Sequence, residues 1–387
     1  MSWPPSDFEA ITECAPLVAE LRERIRATGP IPFRDFMEAA LYHPRFGYYT
    51  SGAVAMHRGG DYVTSPEVHP VFGALVARQL HEMWQVLSRP PRFDVVEQGA
   101  GSGVMARDIL ACAAARQPAF AAAIAYSIVE ISPELRARQQ ATTARASEGA
   151  GPVRWRDALP DEVAGCIVSN ELVDSFPVHR VARRGADLLE LYVALDDAGR
   201  FVDQLDELST PELRQYFDDL GLLPGDGCSA EVNLAARDWM RRVGASLRRG
   251  YVLTLDYGYE AHELYAPWRR DGTLVGFYRQ AAGSDPYQRI GKQDLTSSVD
   301  FTTLRRAGEQ AGLRTVGLTD QGRFLVRLGL TEGLAEVAGA GSGEMEEYFA
   351  RRRVVMDLID PAGLGRIKVL AQTKDAPHSP FSGFHDG

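Results

Sequence analysis

The chain has 387 residues, 45% of them hydrophobic, which is too long for one ordinary core, so two packed parts are expected. Its 42 Lys and Arg against 52 Asp and Glu leave a net charge of −10, which argues against a general nucleic-acid or anionic-membrane binder. Four scattered cysteines without CxxC spacing disfavour a zinc site or a disulfide framework and fit a reducing compartment. No apolar run reaches the roughly 18 residues of a spanning helix.

Apolar residues recur at helical spacing over 14–26, and Gly29-Pro30 ends that segment. A second helix over 33–42 stops before His43-Pro44, and an aromatic, glycine-rich loop follows. Residues 66–88 read as one helix, with Phe72, Leu75, Val76, Leu80, Met83 and Trp84 on one face. From Phe93 the pattern changes. Strands are expected at 94–97, 125–129, 153–155, 166–168 and 251–255, then a helix at 301–312 and last strands at 314–318 and 323–328. Strands alternating with helices mean an α/β fold whose mostly parallel sheet is covered on both faces. Residues 1–92 stand outside that alternation as a helical N-terminal extension forming part of a lid. Residues 176–249 also stand outside it, with β-like pieces at 178–182 and 188–194 and helices at 211–220 and 230–248; they read as an inserted cap. The main domain runs over 93–372, and the tail 373–387 is expected to be disordered.

The first strand of the alternation runs into Gly99-Ala100-Gly101-Ser102-Gly103 and then a helix. Open parallel sheets bind ligands at the carboxyl ends of their strands, and glycines there let the backbone approach a ligand. The dinucleotide pattern GxGxxG fails, because its third glycine would fall at Val104. The loop instead reads Glu97-x-Gly99-x-Gly101-x-Gly103, which resembles motif I of class I S-adenosylmethionine-dependent methyltransferases. Glu130, ending the second strand, sits where a carboxylate can accept both ribose hydroxyls, and Asp157, ending the third, can accept from an adenine amino group.

The resemblance widens beyond the glycine loop. Ala40-Leu41-Tyr42 with Phe46-Gly47-Tyr48-Tyr49, Gly60-Asp61-Tyr62-Val63-Thr64-Ser65-Pro66-Glu67, Asn170-Glu171-Leu172-Val173-Asp174-Ser175-Phe176-Pro177, Leu255-Asp256-Tyr257-Gly258 and Gln293-Asp294-Leu295-Thr296 occur in order. Together they look like the MidA family, over about residues 30–372. The resemblance implies a Rossmann-like class I methyltransferase sheet with a helical N-terminal extension and an inserted cap, using S-adenosyl-L-methionine. Mitochondrial members of that family are protein arginine methyltransferases that assist respiratory complex I assembly. One departure is Ser298, where the family usually carries a histidine. No presequence is visible at the amino terminus, so a cytoplasmic enzyme is expected.

Methyl transfer to arginine must overcome a guanidinium whose pKa exceeds about 12 and whose lone pair is poor. Carboxylates that hold it bidentately and take its proton address both difficulties. Glu171 and Asp174, just past the fourth strand, are the expected catalytic acids, and Asn170 contributes an amide there and toward the cofactor. Glu97, Gly99, Ala100, Gly101, Gly103, Glu130 and Asp157 complete the cofactor set, while Asp61, Glu67 and Tyr257 are expected to contact the acceptor. Asp294, Thr296 and Asp300 read as a structural connection and helix start. The acceptor is a protein arginine or, on the same scaffold, a small molecule; a non-catalytic assembly factor is the third reading. No metal, nucleic acid or membrane partner is expected, and a homodimer is allowed.

Overall fold

The computed structural model describes residues 13–51, 64–146, 151–279, 281–332 and 342–385. Seven strands form the main sheet: β1 (Phe93–Gln98), β2 (Ile124–Val129), β3 (Arg154–Arg156), β4 (Val163–Asn170), β5 (Leu247–Asp256), β6 (Arg314–Asp320) and β7 (Lys368–Lys374). Their spatial order is β6-β7-β5-β4-β1-β2-β3. The strands β3, β2, β1, β4 and β5 pair in parallel, whereas β7 lies antiparallel between β5 and β6. Chain order reverses between β1 and β4, the point at which such sheets open a crevice for a ligand. Gly165 brings these two strands together, since a Cβ there would fall 2.1 Å from the Asp94 carbonyl oxygen.

Period-two alternation splits the strands between two cores. Val95, Cys166, Val168, Tyr251 and Leu253 face the helices Val71–Val86 and Val104–Arg116. Val96, Ile167 and Val252 face Trp239, Met240 and Val243 of the helix Leu234–Ser246 and Leu304 of Phe301–Gln310. Each fully buried Leu, Val or Phe contributes about 1.5–3 kcal/mol of transfer free energy, so the sheet is held from both sides.

Several elements depart from the sequence reading. The helix expected over 66–88 is two, Ser65–Val68 and Val71–Val86, because Pro70 forces His69 into an extended conformation. The strand expected at 323–328 is the helix Gln321–Arg327, whose buried Gln321, Phe324 and Leu325 follow helical spacing. The remaining strand of the sheet is β7, which the sequence reading omits.

The 176–249 stretch divides. His179–Arg184, Asp187–Leu195, Phe201–Asp206 and Ser229–Val232 form a second sheet with Ile31–Pro32 from the N-terminal segment. Leu234–Ser246, N-capped by the Asn233 side chain, packs on the main sheet instead of on the cap. The N-terminal 92 residues divide too: Ala15–Thr28 and Phe33–Tyr42 share a core with Val193 and Phe201 of the second sheet, while Val71–Val86 belongs to the main core. A three-stranded sheet, Val275–Tyr278, Ala281–Gly283 and Asp294–Thr296, lies between β5 and β6 in sequence.

Residues 373–385 pack against the rest of the fold, contrary to the expected disorder. Phe381 is fully buried with its ring edge-on to Tyr251 at 5.0 Å, Phe384 packs on Phe324, and the Ser382 amide donates to Glu82. Two aromatic anchors in an otherwise polar stretch overcome its composition. Phe381→Ala is expected to lower unfolding free energy by about 3–5 kcal/mol, measured by denaturant titration, whereas a disordered tail would leave it unchanged.

Candidate active site

A cavity of about 420 Å³ opens at the carboxyl ends of β1, β2 and β4, lined among others by Gln98, Gly99, Gly101, Glu130, Ile131 and Trp239. Gly99 (φ 70°) and Gly101 (φ 53°) take left-handed conformations that bring bare backbone to the cavity wall. Gly103 caps the helix Val104–Arg116, its amide donating to the Ala100 carbonyl to close the turn. Ala100 is buried in the main core.

Glu130 is held rigidly. Its Oε1 accepts from the Ser132 amide at 2.9 Å and its Oε2 from Gln139 Nε2 at 2.9 Å. Each carboxylate oxygen has a further acceptor position, so the group can also receive two donors from a ligand. Gln139 donates to the Gly101 carbonyl as well, so one side chain ties the glycine loop to Glu130.

Of the expected cofactor residues, Gly99, Gly101 and Glu130 line this cavity; Ala100, Gly103 and Asn170 do not, and Glu97 and Asp157 point elsewhere. Strand alternation turns Glu97 away from the cavity, where it accepts from Tyr126 Oη at 2.7 Å, and burial pushes its carboxyl up to about 7. Gln98 lines the cavity instead, with its Oε1 accepting from Trp239 Nε1 at 2.8 Å. Asp157 is also outside the lining: its side chain is 89% exposed and drawn outward by Arg136 at 2.6 Å.

A second cavity, about 430 Å³, lies against the first, and Tyr49 and Glu171 line both. Its wall carries three carboxyls, Glu171, Asp174 and Asp294, together with Tyr257, Ser298 and Arg366. Glu171 has φ 50°, a left-handed conformation rare for a non-glycine residue and a mark of stored strain. Its Oε1 accepts from the Ser65 amide at 3.1 Å and Asn170 Nδ2 at 3.0 Å, yet burial pushes its carboxyl up to about 8. Asp174, in the single turn Val173–Ser175, is raised well above the carboxylate range by burial and then by repulsion from Asp256, Asp294 and Glu171. Asn170 Oδ1 is buried without a hydrogen-bond partner among the described residues, and Asn170 lines neither cavity.

Asp256 is fully buried and outside both linings. It receives the amides of Leu172, Val173 and Tyr257 at 3.1, 2.7 and 2.8 Å. It thus fastens the loop after β4 to the loop after β5. Burial raises its carboxyl to about 7 against those three hydrogen bonds.

The structure brings Glu171, Asp174 and Tyr257 into one cavity and Gly99, Gly101 and Glu130 into the other. Glu67 joins neither as an acceptor contact, because its carboxylate accepts from Ser102 Oγ in the glycine loop. Asp61 and Tyr62 lie outside the described residues. Of the other tyrosines, Tyr42 and Tyr49 line the cofactor-side cavity and stack at 5.4 Å, while Tyr48 is core. Asp294 and Thr296, read from the sequence as structural, line the second cavity, and Tyr49 Oη donates to Asp294 at 2.8 Å. These partners are 245 positions apart, so no local pattern could reveal them.

A family model described as "Putative S-adenosyl-L-methionine-dependent methyltransferase" matches residues 75–319. The chain belongs to that family. A crystal structure of a Burkholderia thailandensis methyl transferase candidate, bound to S-adenosyl-homocysteine, superposes with a TM-score of 0.88 at 35% identity, covering 100% of this chain and 98% of that one. A Drosophila melanogaster mitochondrial protein named as an arginine methyltransferase NDUFAF7 homolog is 29% identical, over 95% of this chain and 87% of its own. The Mus musculus NDUFAF7 protein, of the same description, is 27% identical over 84% of this chain and 76% of its own. These findings bear out the MidA resemblance, the class I fold and an S-adenosylmethionine-dependent methyltransferase activity. They overturn the cytoplasmic expectation, because the curated relatives are mitochondrial by name.

The chemistry of the first cavity suits that cofactor: bare glycine backbone and a carboxylate with two further acceptor positions. Glu130→Gln is expected to weaken S-adenosylmethionine binding by about 30–150-fold, the loss of charge-assisted hydrogen bonds worth about 2–3 kcal/mol. Calorimetry checks this, and unchanged affinity would remove Glu130 from the binding set.

Proposed function

We propose that this methyltransferase modifies an arginine side chain of a protein, bound in the second cavity with its guanidinium between Glu171 and Asp174. The observation that carries the reading is the meeting of three carboxyls in a cavity that shares Glu171 and Tyr49 with the cofactor-side cavity. A cationic, multidentate donor group is what such a wall accepts best, since a cation relieves the mutual repulsion of the acids. The names of the curated relatives support the same acceptor class.

The cofactor supplies the methyl group as an electrophile on a sulfonium. Alignment therefore dominates, because the displaced thioether is neutral and little charge needs burying. In this reading Glu171 and Asp174 accept the guanidinium N–H groups and point one nitrogen at the shared wall. Glu171 then takes the proton that this nitrogen must lose, a task suited to a carboxyl raised to about 8. Asn170 holds Glu171 through Nδ2. Gly99, Gly101 and Glu130 hold the cofactor. Residues 15–42 and the second sheet, joined through Ile31–Pro32, serve as one lid over the site.

Two outcomes follow. Incubation with labelled S-adenosylmethionine and a cell lysate should place label in a protein, and Glu171→Ala should reduce it at least about 100-fold. Label confined to small molecules would reject the arginine acceptor and favour a small-molecule methyltransferase. The acceptor kcat/KM should also rise with pH through about 8. Below that pH Glu171 is protonated and can neither pair with the cation nor take its proton, so the active form accumulates as pH increases. Glu171→Gln should lose this rising limb.

A further inference from the structure

A third cavity, about 190 Å³, adjoins the second, and Tyr257, Ser298 and Arg366 line both. The three cavities therefore form a row: cofactor side, acid-lined centre and an outer chamber walled also by Glu263, Asp320 and Lys368. The cations of the outer chamber differ in their pairing. Lys368 Nζ is 2.6 Å from Asp320 Oδ1 and is neutralised there. Arg366 lies over the Tyr257 ring, 5.7 Å from its centroid, and has no ion-pair partner among the described residues.

Arg366 lines the same cavity as Glu171, Asp174 and Asp294, so its guanidinium works against a cationic acceptor bound there. It repels the acceptor arginine, and both charges face the same space. An anion carried by the acceptor itself relieves that repulsion. We propose that Arg366 centres a subsite for a carboxylate side chain of the acceptor protein, close in sequence to the methylated arginine. The proposal rests on the arginine reading above and adds the chemistry of the flanking residue.

The geometry supports a flank and not a second copy of the acceptor group. With the guanidinium at Glu171 and Asp174, the chain that bears it leaves the central cavity past Tyr257 and Ser298, the residues shared with the outer chamber. Ser298, with its small side chain, lies on the wall shared by the two cavities. A carboxylate arriving there meets Arg366 first, because Lys368 is already occupied by Asp320.

The test uses the full-length enzyme, labelled S-adenosylmethionine and a cell lysate, with modified arginines mapped by mass spectrometry. Wild-type sites should carry Asp or Glu within about two positions of the modified arginine. Arg366→Glu should lower labelling of those sites about fivefold, the effect of one exposed ion pair, and shift it toward sites flanked by Lys or Arg. Arg366→Lys should keep the acidic preference, which guards against misreading a folding defect. Arginines labelled without regard to flanking acids, and equally by wild type and Arg366→Glu, would overturn the subsite alone. Absence of any labelled protein arginine with wild type would overturn the arginine reading together with it.

Discussion

The arrangement of the site depends on Asp256. Its carboxylate, at the end of β5, gathers the amides of Leu172, Val173 and Tyr257, so the loops leaving two neighbouring strands become one body. Glu171, Asp174 and Tyr257 all hang from that body. The left-handed Glu171 backbone is sustained by it too, since the Glu171 amide donates to Leu255 and the residues after it are held by Asp256. A buried carboxyl usually costs stability unless its acceptors are filled, and here the fold fills them with backbone donors.

That clamp makes possible an accumulation of charge that would otherwise disperse. Glu171, Asp174 and Asp294 face one cavity with Asp256 close behind, and desolvation raises Glu171, Asp174 and Asp256. Like charges so close hold protons that open water would remove. The strain is local, because Glu171, Asp174 and Asp294 sit on loops and a small sheet while the seven strands beneath are packed by ordinary apolar side chains. Rigid scaffold and uncomfortable loops are thus separate parts of the same sheet end.

What was legible in the sequence was what short range determines. The glycine loop, Glu130, Glu171 and Asp174 lie at strand ends, and strand ends follow from alternation of apolar runs and helices. Parity within a strand was not legible: a one-residue difference exchanged Glu97 for Gln98 at the cavity wall, and only pairing registers settle it. The segment 323–328 was ambiguous because a short apolar run suits either a strand or a helix. Asp294 and Arg366 reach the site through long-range packing of the small sheet and of the turn Leu364–Arg366. No local spacing records such an approach. The tail misled because composition averages over residues, while burial of Phe381 and Phe384 is decided by two of them.

The short strand Ile31–Pro32 has a consequence for how the molecule is made. Its partners, Val193 and Tyr192, are synthesised about 160 residues later. Until the insertion is in place, the helices Ala15–Thr28 and Phe33–Tyr42 have no complete core to join. Loop closure over such a separation is slow compared with local helix formation. The helices Ala15–Thr28 and Phe33–Tyr42 thus depend for their core on residues of the second sheet that lie far along the chain, so their seating follows the closing of a long loop.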